Sequence, residues 1–244
     1  MLAAFRVRSF RFQWPADLLT SWAFEMETLI LGWYVLVETD SVVSLALIGS
    51  LHFLGTLVAP LFGVAGDRMG RRRVMCVMRA TYATLAVAMM AFGLTDTLTP
   101  NHVFAIAFLA GLVRPSDISM RNALIGDSMP PEGLTNAMGL SRTTQDSARV
   151  LGSLAGAGLL STLGIGPSYI AIATLYAVSF AFTFGVSRHR PGADNAPDGS
   201  PPPLPASPWR NLLDGLIYCW QTPKVLALVW LAFLVNLCGY PITP

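Results

Sequence analysis

Glu25 and Glu27 interrupt an apolar run from Leu18 to Val37. A carboxyl group in that setting is costly unless it works, and its characteristic work is proton exchange. The two lie about 200° apart around a helix, so one cavity cannot receive both. Further on, Arg114, Asp117 and Arg121 recur at i, i+3, i+7, and Arg142, Asp146 and Arg149 at i, i+4, i+7. Each set puts a carboxylate between two guanidiniums on one helix face. The expected ladder is internally paired, serving either as a gate network or as a static lock whose arginines snorkel to headgroups. Asp117 and Asp146 join Glu25 and Glu27 as proton-coupling candidates, and the four arginines as their supporting network. Arg79 is expected to snorkel inward, within reach of Asp67 or Asp127. His52 fits packing better than a proton relay.

The run Gly63-Val64-Ala65-Gly66-Asp67-Arg68-Met69-Gly70-Arg71-Arg72-Arg73 combines glycines, one carboxylate and four arginines. Gly63 and Gly66 permit close helix approach, and Gly70 can adopt positive φ where the chain reverses. Asp67 can accept from arginines or face another helix's positive N-terminus. In Gly152-Ser153-Leu154-Ala155-Gly156-Ala157-Gly158, Gly152, Gly156 and Gly158 form a small-residue packing stripe. Nucleophile elbow, zinc spacing and phosphate loop are all missing from the pattern, so neither an enzyme nor a metal or other cofactor is expected.

The elements that must hold these residues are membrane helices. Hydrophobic residues make up 53% of the chain and charged ones 12%, well below the roughly 25% charged of a soluble domain. Apolar runs of about 20 residues can cross a bilayer as helices, which satisfy their own backbone there. Six such runs read as Ala16 to Val37, Val42 to Ala65, Val74 to Leu94, His102 to Ile125, Ala137 to Leu163 and Pro167 to Ser187. Basic residues fall on alternate connections. Arg6, Arg8 and Arg11 precede the first span, Arg68 and Arg71 to Arg73 follow the second, and Arg188 and Arg190 follow the sixth. Glu38 to Ser41, Thr95 to Asn101 and Gly164 to Gly166 hold none. Basic loops stay inside, which predicts a cytoplasmic N-terminus in a cell (inner) membrane. The arginines form no stripe interleaved with aromatics, so nucleic acid is not an expected partner. Cys76, Cys219 and Cys238 have no metal-like spacing and read as packed thiols.

The chain thus divides into a cytoplasmic N-terminus (1–15), a six-helix bundle (16–187), a Pro/Gly-rich cytoplasmic linker (188–208) and a C-terminal segment (209–244). In that last segment Trp209, Leu212, Leu213, Leu216, Ile217 and Trp220 recur at helical spacing, as in an interfacial helix. A seventh span begins near Val225. Six spans and one more make an odd plan, so the C-terminal part is expected to be missing.

Gly, three residues, Asp-Arg, one residue, Gly-Arg-Arg between the second and third spans resembles the signature loop of the major facilitator superfamily, position by position. Gly32-Trp33-Tyr34-Val35-Leu36 with Thr39-Asp40-Ser41 resembles the first span and outer turn of its drug-exporter-like (enterobactin/macrolide exporter-like) branch. So do Arg121-Asn122-Ala123-Leu124, Pro130, Asn136-Ala137 and Ala148 to Gly152. The resemblance covers the N-terminal half of a twelve-span fold and the start of the other half. It implies an all-α polytopic membrane protein: a secondary transporter working by alternating access, with proton-coupled efflux of a small apolar or amphipathic compound. Its partners would be the lipid bilayer, the substrate, protons and the missing C-terminal six-span half. By the same resemblance Asp67 helps hold the halves together, Arg71 pairs with an acid at the inner end of span four, for which Asp127 is the candidate, and Glu27 is the cavity residue of span one. Ser153 stands where exporters carry a proline, so the antiporter signature is incomplete. A non-transporting half-transporter or membrane scaffold is the alternative, and an importer of the same fold a further one.

Overall fold

A computed structural model describes residues 5–186, 220, 225–227 and 230–231. The expected linker, the interfacial helix and most of span seven lie outside the described residues. Two compact units divide the chain, Met1–Asp194 and Asn195–Pro244. Within the first, the helices are α1 (Arg8–Thr39), α2 (Val42–Leu51), α3 (Gly55–Met69), α4 (Arg71–Leu94), α5 (Pro100–Ser128), α6 (Pro131–Leu163) and α7 (Ile165–Thr183).

Their ends are written in local chemistry. Asp40 closes α1 in the left-handed region at φ 45°, and Ser41 caps α2 by accepting from the Ser44 N–H at 3.3 Å. Pro100 and Pro131 open α5 and α6 as first-turn prolines. The basic turn is tighter than the sequence implied. α3 runs through Met69, and Gly70 alone, at φ 90°, separates it from α4. Only glycine adopts that backbone at no steric cost.

Among the described residues, Val42–Met69, α4, α5 and α7 are long and apolar enough to cross a membrane. α1 and α6 are longer still, at 32 and 33 residues. The chain is a multi-pass membrane protein, and its buried ion pairs join α1, α4 and α5.

Two boundaries differ from expectation. α1 begins at Arg8 rather than Ala16, because its first turns are buried. Phe10 packs with Ile125, Met129 and Ala137, and Gln13 donates to the Arg121 carbonyl at 3.1 Å. Span two is not one helix. Between Ser50 and Leu57 the backbone shifts to i→i−3 bonds, as in Phe53 N–H to Ser50 O (3.1 Å) and Leu54 N–H to Leu51 O (3.2 Å). The tightened turn is where span two meets α5 backbone to backbone. A Cβ on Gly111 would lie 2.2 Å from the Leu51 carbonyl oxygen, and one on Gly55 2.3 Å from the Gly111 carbonyl oxygen.

α1 packs against α5, α6 and α7, while α4 packs along α7 and touches α3 and α5. The core between them holds Met26, Ile30, Met75, Met78, Tyr82, Tyr169, Ile172 and Tyr176. Large apolar side chains such as Leu57, Val77 and Leu154 lie on the outside. That surface suits lipid, where no hydrophobic effect drives helices together and small residues set the contacts.

Candidate functional site

Polar side chains gather in three places within the bundle. At the end bearing Gly70, Arg71 Nη1 lies 2.5 Å from Asp127 Oδ1 and donates to the Ala123 carbonyl at 3.1 Å. Arg72 donates to the carbonyls of Thr183 (3.3 Å) and Phe184 at the end of α7. The two arginines therefore tie α4 to the C-terminal ends of α5 and α7, where exposed carbonyls favour cations. Asp67 is 70% exposed and 3.7 Å from Arg71. Arg68 and Arg73 point to the surface. Gly66 is pressed by Met120, whose Cε would be 2.9 Å from an added Cβ. Gly63, expected as a close-approach glycine, meets nothing within 4 Å.

The second place is a buried network that the sequence did not reveal. Arg79, expected to snorkel, has no exposed surface. It is bound to Asp17 of α1 and donates to Thr183 Oγ1 of α7 at 2.5 Å, away from both Asp67 and Asp127. Arg121 joins the same carboxylate at 3.7 Å, pairs with Asp117 at 2.6 Å and donates to Ser21 Oγ at 2.9 Å. Two aspartates and two arginines thus neutralise one another across α1, α4 and α5. A charge inside a membrane is tolerable when paired and hydrogen-bonded in this way.

The third place is a recess of about 80 Å³ bordered by Ser21, Phe24 and Glu25 of α1, Tyr82 of α4, Arg114, Asp117, Ile118 and Arg121 of α5, and Gln145 and Arg149 of α6. Arg114 stacks over the Phe24 ring, and its Nη1 is 3.5 Å from Thr28 Oγ1. A pocket that encloses a small molecule measures roughly 300–1,000 Å³, so this recess by itself is too small to enclose one.

The ladders and glutamates fall into place differently from the sequence reading. In α5 only Asp117 and Arg121 pair, while Arg114 turns to Phe24. In α6 Arg142 and Asp146 approach to 3.4 Å but are 68% and 53% exposed, and Arg149 borders the recess without an ion pair among the described residues. The α5 ladder bridges to α1 and α4, not to α6, with which α5 makes few contacts. Glu25, not Glu27, borders the recess. Glu27 is buried between α1 and α7, accepting from Tyr176 Oη at 2.9 Å. Tyr82, stacked on Tyr176 at 5.5 Å between centroids, separates it from the recess wall. His52 sits in the span-two break, edge-on to Phe24 at 5.8 Å.

In the glycine stripe, Gly152 and Gly156 let α6 close on α1. Added Cβ atoms would meet Glu25 Cβ at 3.1 Å and Met26 Cα at 2.9 Å. Gly158 faces open space and does not pack. The sequence spans hid this network: with span one starting at Ala16, Asp17 falls at its edge, whereas the observed α1 begins at Arg8 and carries Asp17 inside the bundle.

Known proteins place this arrangement. The curated multidrug efflux pump Tap of Mycolicibacterium fortuitum is 27% identical over 210 residues, covering 81% of this chain and 49% of Tap. The crystal structure of the human organic anion transporter MFSD10 (TETRAN) aligns with a TM-score of 0.57 at 19% identity, over 73% of this chain and 47% of that one. At that identity the likeness speaks for the fold. This chain spans about half the length of either relative. The sequence model of the Major Facilitator Superfamily matches residues 15–243. With a helical bundle, a single-glycine basic turn and a charged recess to match, the chain belongs to the Major Facilitator Superfamily.

Proposed function

We propose that this chain is the N-terminal bundle of a secondary transporter that works by alternating access and exports a small amphipathic compound in exchange for protons. The observation that carries the reading is the recess: charged and aromatic side chains at mid-span, in a bundle whose outer surface is apolar. Ionisable groups in membranes mark substrate and proton pathways, and in transporters built from repeated bundles the site lies near the midplane between them. A second six-span bundle would supply the opposite wall.

In this reading Glu25 meets substrate and protons directly, and Glu27 is a sealed carboxyl whose protonation is felt through Tyr176 and Tyr82. Arg71 with Asp127 holds the cytoplasmic ends of α4 and α5 together, and Asp67 reaches the second bundle. The N-terminus and the Gly70 turn face the cytoplasm of a cell (inner) membrane. The efflux activity in the printed name of Tap is consistent with the export direction.

The test is flux in proteoliposomes carrying the full-length protein under an imposed pH gradient. Wild-type protein should accumulate substrate against its gradient. Glu27→Gln keeps an acceptor for Tyr176 and so keeps the fold, and it should abolish pH-driven accumulation. Glu25→Gln should do the same or shift its pH dependence. Unchanged proton-coupled flux in both variants would remove span one from the coupling.

A further inference from the structure

The guanidiniums around the recess are unevenly matched: some are held in ion pairs, and Arg114 and Arg149 are in none among the described residues. Asp117 is held by Arg121 at 2.6 Å, and Asp17 lies between Arg79 and Arg121. Near Arg114 and Arg149 there remain Glu25, which makes no ion pair among the described residues, and Glu27, which lies within electrostatic reach of Arg114 but is hydrogen-bonded to Tyr176. Arg114 has five N–H donors, and among the described residues a 3.5 Å contact to Thr28 is its hydrogen bond. Its position is nevertheless fixed, because the guanidinium lies on the Phe24 ring. A held guanidinium with unspent donors is ready to receive an oxyanion through paired bonds. Its second face is available to an aromatic group stacking opposite Phe24.

A cation at this depth would meet the reverse situation. It would need a carboxylate of its own, and Glu25 shares the recess with Arg114 and Arg149. A neutral ligand would leave those donors without an acceptor, at the cost of burying them unpaired.

We infer that the recess selects an amphipathic molecule bearing an anionic group, a carboxylate or similar oxyanion, received by Arg114 and Arg149 while its apolar body lies against Phe24, Tyr82 and Ile118. This rests on the transporter reading and names its substrate class. Glu25 then competes with the substrate for the same guanidiniums.

The test compares three probes of one shape on the full-length protein: 2-naphthoate, 2-naphthamide and 2-naphthylmethylammonium, by calorimetric titration. Naphthoate should bind at least about tenfold more tightly than the others, the scale of one well-placed charge interaction. Arg114→Gln should erase that preference, and the exposed Arg149→Gln should reduce it. Glu25→Gln should act in the opposite direction and tighten naphthoate by about tenfold, so the proposal stays exposed even if the Arg114 variant fails to fold. Equal or better binding of the amide or the ammonium overturns the anion class, as does an acid of the second bundle that already neutralises Arg114. In that case pH-driven flux of the preferred probe would leave the transporter reading standing. Absence of both binding and flux for all three probes would overturn the two together.

Discussion

Arg79 and Asp17 show how strongly a membrane interior constrains single residues. Both are essentially removed from solvent, so neutralising Asp17 leaves Arg79 an unpaired buried charge, and neutralising Arg79 leaves Asp17 only its 3.7 Å contact with Arg121. Breaking such a pair costs about 3–5 kcal/mol. Arg79→Gln or Asp17→Asn should therefore destabilise the protein by that order in chemical unfolding in detergent. The double variant should recover a good part of the loss. If the single variants unfold like wild type, the pair does not exist as drawn. Asp67 makes the contrasting case. It is exposed and 3.7 Å from Arg71, and surface pairs contribute about 0–1 kcal/mol. Asp67→Asn should leave stability nearly unchanged while weakening closure of the cytoplasmic side, read by thiol accessibility. Normal closure would reduce Asp67 to part of a topology signal. The sequence alone made Asp67 conspicuous and left Asp17 unseen, because motif spacing reports neighbours along the chain. The Asp17–Arg79 pair joins residues 62 apart. Their common depth, a little over two turns at about 3.6 residues per turn, shows only once α1 is seen to begin at Arg8 and α4 at Arg71.

The helices were legible from the sequence to within a turn or two, since apolar length and alternating arginines are strong signals. Their contacts were legible in part: Arg71 meets Asp127, and Gly66, Gly152 and Gly156 lie at close approaches. Glycine spacing nominated Gly63 and Gly158, which touch nothing, and passed over Gly55 and Gly111, which bring two backbones together. A Gly-x-x-x-Gly pattern says where a helix is smooth, and the neighbour's position decides whether the smoothness is used. Gly111→Ala would drive a Cβ into the Leu51 carbonyl, and overpacking costs about 1–3 kcal/mol or more when backbone must move. It should lower thermal stability and the yield of folded protein. Gly158→Ala should be neutral or slightly stabilising, because it removes backbone freedom in a helix at no steric cost. A reversed order of effects would contradict the placement of α5 against span two.

At the scale of the molecule, the bundle has one end tied by arginines to helix C-termini and a charged recess at mid-depth. Its opposite end bears Glu38, Asp96 and the turn at Gly164. This polarity fits the proposed alternating access, in which the arginine-tied end would be the inner edge and the recess would face a second bundle. In the proposed cycle the recess opens in turn to the two sides of the membrane. Ser21 borders it and is partly exposed, so a cysteine there reports access directly. The background would be full-length protein with Cys76, Cys219, Cys238 and any cysteines beyond them replaced by serine. Ser21→Cys in oriented vesicles should react with a membrane-impermeant thiol reagent from either side, and reversing the pH gradient should shift labelling from one side to the other. Labelling from one side alone under every gradient, or from neither, would contradict the account.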